Sequence, residues 1–415
     1  MAGEVLLTCT VHRDNVPVIA QPQIGYILLE LMPAQIIANV QMPLNFSFVL
    51  DRSGSMGDER KIEQLRDAVK HAIDLLDDDD IVSIVAFEDD AQVLVSSTTA
   101  RDKNNLKRQV DKLNAGGGTH MEKGMREGLR EVRKNLGPGR ANQLVILTDG
   151  QTENEGQCRR EGDNAGQEGI KIIALGLGND WNETLLEDVA QRAGGNADLI
   201  SQPHEIADKF QRVVQEMQGN IVQNALLTLR LAQGVTPRKV WRVAPLISDL
   251  GLQPLSDRDV QVSLGELVKD QGQGLMVEVL LPPRAEGRYR IAQADVSYDV
   301  PPAQIFGEHA RADIVIGYTS IPQLAEQYNP RVMNIAEKVT AFRLQTRALQ
   351  DAQQGNAAGA TQKLRQAATM LLNQGEVDLA KTIQLEADNL ENKGAMSDAG
   401  KKTIKFQGGK TVKLG

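Results

Sequence analysis

The sequence predicts an α/β domain with a doubly wound, mostly parallel sheet, inserted in an antiparallel β-sandwich and followed by an α-helical bundle. Three observations support this fold class. From about residue 44 to 218, apolar runs alternate with amphipathic stretches of helical period. Both flanks of this region carry short apolar runs separated by Gly, Pro and Asn. After residue 320 the pattern is helical, and glycines interrupt it.

The α/β region contains runs such as Ile81–Phe87 that are almost wholly apolar, as strands buried on both faces require. The predicted strands are Asn45–Leu50, Ile81–Phe87, Gln92–Ser96, Gln143–Leu147, Lys171–Leu177 and Asp198–Ser201. The predicted helices are Lys61–Leu76, His120–Leu136, Thr184–Ala193 and Pro203–Met217. Ligands of such sheets bind beyond the carboxyl ends of the strands, so that edge is where a site is expected.

The flanking segments complete the predicted domain plan. The first part of the sandwich is assigned to 1–42, the α/β domain to 43–218 and the rest of the sandwich to 219–320, with two separate β units as the alternative. A helical bundle is assigned to 321–395, because Gly355 and Gly375 are good helix stops. Residues 396–415 are predicted to form a flexible basic tail or a hairpin.

Composition excludes several classes of function. The formal net charge of −9 argues against wholesale binding to nucleic acid or to an anionic membrane. Aromatic residues make up only 3%, so stacking platforms for bases or sugars are not expected. The two cysteines cannot build a disulfide framework, and no segment resembles a secretory signal or a membrane span. We therefore expect a cytoplasmic protein.

A set of oxygen ligands follows the first strand of the α/β region. Asp51, Ser53 and Ser55 present a carboxylate and two alternate hydroxyls at the carboxyl end of an apolar strand. Hard oxygens of this kind are what a divalent cation such as Mg²⁺ prefers. Asp, Ser and Gly also form ordinary turns, so the motif depends on ligands from elsewhere in the chain.

Two further segments supply such ligands. Thr119 follows three glycines and would add a hydroxyl, although Thr119 and Glu122 also have the spacing of a helix capping box. Asp149 follows another apolar strand, so its carboxylate would point to the same edge as Asp51, with a simple Asp-Gly turn as the alternative. In a doubly wound sheet these two strands can be neighbours.

At this point the chain resembles the von Willebrand factor type A (VWA) family, a Rossmann-like fold found in integrin inserted domains. The resemblance covers about residues 43–218. The family's metal-ion-dependent adhesion site (MIDAS) has the form Asp-x-Ser-x-Ser, then a Thr, then an Asp. The matching positions here are Asp51, Ser53, Ser55, Thr119 and Asp149.

The resemblance implies a function in binding rather than catalysis. In the family the hydroxyls bind the metal directly, while the carboxylates often act through water. The implied cofactor is Mg²⁺, with Mn²⁺ or Ca²⁺ as alternatives, and the implied partner is a protein that supplies an Asp or Glu to the metal. We therefore expect a bacterial, metal-dependent binding or scaffold protein that is not an enzyme. The alternatives are a metal-dependent hydrolase or phosphatase-like enzyme, with His120 as the nearest candidate base, and a purely structural VWA domain.

The C-terminal tail carries a short repeat, Lys402–Phe406 and Lys410–Leu414. Its alternation of polar and apolar residues around Gly408 fits a β-hairpin, and a flexible basic tail is the alternative. Thr403 and Thr411 each precede an apolar residue by three positions, as in phosphothreonine motifs that forkhead-associated (FHA) domains bind. Partners expected through the tail are FHA-domain proteins, Ser/Thr kinases or ATPases, or a sheet edge to which the tail adds strands.

Overall fold

The computed structural model describes residues 3–37, 40–137, 139–178, 180–256 and 258–409. The chain divides into two compact units. Residues 41–220 form one, here called the α/β unit, and residues 1–40 together with 221–415 form the other, here called the sandwich unit. Among the described residues, no helix combines the length and the apolar character needed to cross a bilayer.

Over its described residues, the α/β unit contains six strands and six α-helices. The first three strands of the chain belong to the sandwich unit and are β1 (Val5–Val11), β2 (Asn15–Pro17) and β3 (Gln23–Pro33). The strands of the α/β unit are β4 (Leu44–Asp51), β5 (Ile81–Phe87), β6 (Ala91–Thr99), β7 (Ala141–Thr148), β8 (Lys171–Leu177) and β9 (Asn196–Ile200). Its helices are α1 (Lys61–Asp74), α2 (Lys103–Val110), α3 (Met121–Arg133), α4 (Glu155–Gln167), α5 (Glu183–Arg192) and α6 (Ile206–Gly219). The apolar pattern predicts four of these helices and does not predict the other two, α2 and α4.

The described sheet of this unit has the order β6-β5-β4-β7-β8-β9, in which the edge strand β6 is antiparallel to β5 and the other neighbours are parallel. Every residue of β4 and β5 is buried, as their largely apolar sequences predict. On one face Phe48 of β4 stacks on Phe210 of α6, with ring centroids 5.2 Å apart. Because β4 and β7 are parallel neighbours with Leu50 opposite Leu147, the residues that follow these strands meet at one edge.

Over the described residues, the sandwich unit contains two sheets, and their strands come from segments before and after the α/β unit in the sequence. Its later strands are β10 (Val222–Leu231), β11 (Thr236–Ala244), β12 (Ser248–Asp249), β13 (Gln253–Pro254), β14 (Asp259–Leu267), β15 (Gln273–Leu281), β16 (Gly287–Val300) and β17 (Ile305–Thr319). One sheet has the order β1-β3-β15-β11-β12, and the other has the order β13-β14-β10-β16-β17-β2. Side chains of both sheets, for example Ile27 and Val296, belong to one hydrophobic core.

Helices follow the last long strand. They are α7 (Pro322–Ala325), α8 (Pro330–Gln353), α9 (Ala357–Asn373), α10 (Val377–Lys393) and α11 (Asp398–Gly408). Small side chains such as Ala360 and Ala387 are buried where α8, α9 and α10 pack together. The start of α8 lies on the outer face of a sheet, where Val332 joins a cluster with Trp241, and Arg331 pairs with Glu30.

The hairpin predicted for the tail is wrong over the residues that the structure describes, and so is a flexible tail there. Residues 402–406 lie inside α11. Ser397 caps this helix, since its Oγ accepts a hydrogen bond of 2.9 Å from the Gly400 N–H, and Ile404 is buried in the helical core. A short alternating sequence fits either structure, and here capping and burial favour the helix. The second copy, 410–414, lies outside the described residues.

Candidate metal site

Asp51 is the last residue of β4 and is fully buried. Its Oδ1 accepts a hydrogen bond of 2.8 Å from the backbone N–H of Ser53. This local bond turns the chain at the end of the strand, a role for which Asp is well suited. The turn directs the next two serines of the motif toward the carboxyl edge of the sheet.

The second oxygen of this carboxylate is held from the neighbouring strand. The Thr148 hydroxyl of β7 donates to Asp51 Oδ2 at 2.6 Å. Burial raises the pKa of Asp51 to about 6, although the hydrogen bonds from Thr148 and Ser53 act in the opposite direction. Because burial dominates, the ionised carboxylate carries charge that these hydrogen bonds do not fully compensate.

The predicted oxygens form a continuous row. Ser53 Oγ lies 3.1 Å from Ser55 Oγ, and Ser55 Oγ donates to Asp149 Oδ1 at 2.7 Å. The side chain of Asp149 is fully buried, and its Oδ2 pairs with Lys61 Nζ at 2.7 Å. The structure therefore brings the oxygens of both strand ends together, as expected for parallel neighbours.

Thr119 reaches this edge through the glycine loop. The loop is tied to the Asp51 turn because the N–H of Gly54 donates to the carbonyl of Gly117 at 3.0 Å. Gly117 has φ of 80°, a backbone conformation that favours glycine, and a Cβ on it would lie 2.4 Å from Glu88 Oε2. A Cβ built on Gly150 would lie 3.6 Å from Thr119 Oγ1, which places the hydroxyl beside the loop that carries Asp149.

The capping box considered for Thr119 is not formed. The residue that precedes the first turn of α3 is His120, and no side chain caps the helix there. Glu122 instead accepts hydrogen bonds from Asn154 at 2.9 Å and lies 3.3 Å from His120 Nδ1. In the part of the chain that the structure describes, the Thr119 hydroxyl has no hydrogen-bond partner, so it is available to a ligand.

Sequence reasoning missed two residues of this site. Thr148 stands between the apolar strand and Asp149, and a hydroxyl inside such a run was a readable signal. Lys61 lies ten positions after Asp51 at the start of α1, and nothing in the local sequence distinguishes it from a surface lysine. The roles of both residues depend on partners from a different strand or loop.

The chemistry of these residues fits a hard divalent cation. The set offers two carboxylates and three hydroxyls, all of them oxygen ligands of the kind Mg²⁺ accepts. No group of three or more His, Cys, Asp or Glu side chains suited to a metal occurs among the described residues. Any metal at this edge would therefore depend on the hydroxyls of Ser53, Ser55 and Thr119.

Comparison with known families identifies the class of the two best-defined regions. The family described as von Willebrand factor type A domain matches residues 45–213, and the family described as Sll0103-like, C-terminal alpha-helical domain matches residues 330–413. Residues 45–213 are thus similar to a VWA domain, and residues 330–413 to a helical domain of that second type. This agrees with the predicted α/β and helical regions.

Particular relatives extend the similarity. The chain is 31% identical over 266 residues to the uncharacterized protein sll0103 of Synechocystis sp., covering 63% of each protein. It spans less than two thirds of the length of the curated relatives it matches. Among solved structures, a von Willebrand factor type A protein from Catenulispora acidiphila aligns over 98% of this chain and 97% of its own, with a TM-score of 0.75 and 19% identity. The ArnB paralog VWA2 from Sulfolobus acidocaldarius aligns over 99% and 100%, with a TM-score of 0.54 and 14% identity.

Proposed function

We propose that this chain is a metal-dependent protein-binding or scaffold protein with no catalysis of its own. Asp51, Ser53, Ser55, Thr119 and Asp149 would hold Mg²⁺, and an Asp or Glu of a partner protein would complete the coordination. The observation that carries the proposal is the row of oxygens from Asp51 to Asp149 at one sheet edge. A Thr119 hydroxyl without a partner among the described residues supports it.

Charge is the physical basis for capture of a carboxylate. The proposed ligands include only two carboxylates, and one of them already pairs with Lys61. A divalent cation in such a site keeps net positive charge, which favours an anionic ligand from outside. Mn²⁺ or Ca²⁺ would serve the same purpose, with Ca²⁺ preferring more ligands at longer distances.

Calorimetric titration with Mg²⁺ tests the metal site directly. Ser53→Ala removes one proposed ligand, and we expect it to weaken binding at least about tenfold. Ser83→Ala is the matched control, because Ser83 is an equally buried serine of the adjacent strand β5 whose hydroxyl donates to the Phe46 carbonyl, at 3.4 Å. Absence of Mg²⁺ binding by the folded wild type would leave a purely structural VWA domain.

A pull-down identifies the partner. Wild type and Asp51→Ala are each presented to a bacterial lysate with Mg²⁺ and with EDTA, and a genuine partner is retained only by wild type with Mg²⁺. In parallel, wild type and Asp51→Ala are assayed for turnover of phosphatase and hydrolase substrates with and without Mg²⁺. Turnover that Mg²⁺ stimulates and Asp51→Ala abolishes would replace the binding proposal with an enzyme.

The proposed setting is a bacterial cytoplasmic signalling or assembly system, in which the tail would contact FHA-domain, Ser/Thr kinase or ATPase components. Thr403 is a poor phosphorylation site in the folded helix, because its hydroxyl donates to the Ala399 carbonyl at 2.9 Å. Thr411, which lies outside the described residues, is therefore the proposed site. Phosphopeptide mapping after kinase treatment, with Thr411 unmodified, would contradict this part.

A further inference from the structure

One buried ion pair lies at the candidate metal site. Lys61 Nζ is 2.7 Å from Asp149 Oδ2, with 18% of the lysine side chain and none of the aspartate side chain exposed. The other carboxylate oxygen of Asp149 accepts the Ser55 hydroxyl at 2.7 Å. Both oxygens of this carboxylate are thus already engaged by groups of the protein.

The pair changes the charge of the site. A buried carboxylate requires a compensating partner, and a charge-assisted bond of this length supplies one. With Asp149 neutralised by Lys61, Asp51 is the remaining anionic group among the five proposed ligands. The lysine also places a positive charge where it repels a second cation.

We propose that Lys61 is a positioning residue that sets the balance between metal affinity and carboxylate capture. Because Asp149 is paired with Lys61, its carboxylate compensates less of the charge of a bound cation. The site therefore binds Mg²⁺ more weakly and retains more attraction for a partner's carboxylate. This inference rests on the function proposed above. It adds that the lysine tunes the two affinities in opposite directions.

Neutral and charged substitutions of Lys61 separate this role from general electrostatics. Lys61→Met removes the charge and keeps the unbranched stem up to the ε position, while Lys61→Arg keeps the charge. Lys123→Met is the matched control, because Lys123 lies near the same edge but contacts the Asp89 carbonyl and the Asp90 carboxylate instead of Asp149.

Two measurements on the full chain are needed. Calorimetry gives the Mg²⁺ affinity, which we expect to rise about tenfold in Lys61→Met and to change little in Lys61→Arg and Lys123→Met. Water-proton relaxation of the Mn²⁺-loaded proteins, titrated with acetate as the simplest carboxylate, gives the second affinity. We expect acetate to displace metal-bound water at concentrations several-fold higher in Lys61→Met than in wild type.

The outcomes distinguish this inference from the function on which it rests. If wild type binds Mg²⁺ and Lys61→Met binds it no more tightly, the role of Lys61 is overturned and the metal site stands. The same holds if Lys123→Met raises the Mg²⁺ affinity as much as Lys61→Met does. If none of the folded proteins binds Mg²⁺, both proposals fail. Should Lys61→Met not fold, Lys61→Gln replaces it with the same expected signs, since the amide is neutral.

Discussion

The Thr148 hydroxyl provides the sharpest test of how the candidate site is supported. Thr148 and Asp51 are both buried, and the bond between Thr148 Oγ1 and Asp51 Oδ2 is 2.6 Å long. In Thr148→Val the shape of the side chain is kept, but Oδ2 loses this donor and water cannot replace it at a fully buried position. An unsatisfied buried acceptor of this kind costs about 2 kcal/mol or more.

The expected result is a lower unfolding free energy of the α/β unit in the absence of metal. For a unit that spans residues 41–220, a loss of about 2 kcal/mol corresponds to a decrease in Tm of roughly 4–8 °C. Urea denaturation measures it through the fluorescence of the buried Trp181 in a Trp241→Phe background. Thr148→Ser is the control, because it keeps the hydroxyl. If Thr148→Val is no less stable than Thr148→Ser, the hydrogen bond does not support Asp51 and the reasoning fails.

Three further predictions concern stability. Burial lowers the pKa of His12 to about 4, so the unfolded chain takes up this proton first as the pH falls. Stability that is complete above pH 6.5 should therefore decrease by up to about 3 kcal/mol toward pH 4, and a His12→Gln variant with the same acid profile would contradict this. Phe210→Ala should lower the unfolding free energy by about 3–5 kcal/mol, and Phe210→Leu should lower it by less because Leu leaves a smaller cavity; equal losses in denaturant titrations would refute the packing argument. In Gly128→Ala the new Cβ would lie 2.5 Å from Val49 Cγ2, so we expect a loss of about 1–3 kcal/mol. The helical control Gly156→Ala, which has open space around it, should gain up to about 1 kcal/mol, and a gain in both variants would refute the clash.

The sequence predicts those parts of the fold in which burial determines the pattern of apolar residues. The strand Ile81–Phe87 is apolar except for Ser83 because both of its faces are covered, and its observed bounds match the predicted ones. The close approach of Asp51 and Asp149 could be predicted for a related reason, since parallel strands place their carboxyl ends together.

The helix α4 shows why other parts could not be predicted. Its sequence contains three glycines and few apolar residues, so no amphipathic pattern is visible. The structure explains the composition, because a Cβ on Gly166 would lie 2.2 Å from the Arg192 carbonyl oxygen where α4 and α5 approach closely. The glycine that permits this packing also removes the signal that a helix normally gives. Only the tertiary contact reveals its purpose.

The interrupted order of the sandwich strands affects how the protein is made. Strand β3 pairs on one side with β1, but on the other with β15, where Ile27 lies opposite Val277, 250 residues later. At roughly 5–20 residues per second, a ribosome needs about 12–50 s to synthesise that stretch. The α/β unit can fold in this interval, because all of its strands are contiguous and its ends are joined by a 2.9 Å bond from the Met42 N–H to the Gln218 carbonyl. During this time the other edge of β3, with apolar residues such as Ile27, lacks its partner β15, and an unpaired apolar edge of this kind can pair with other chains.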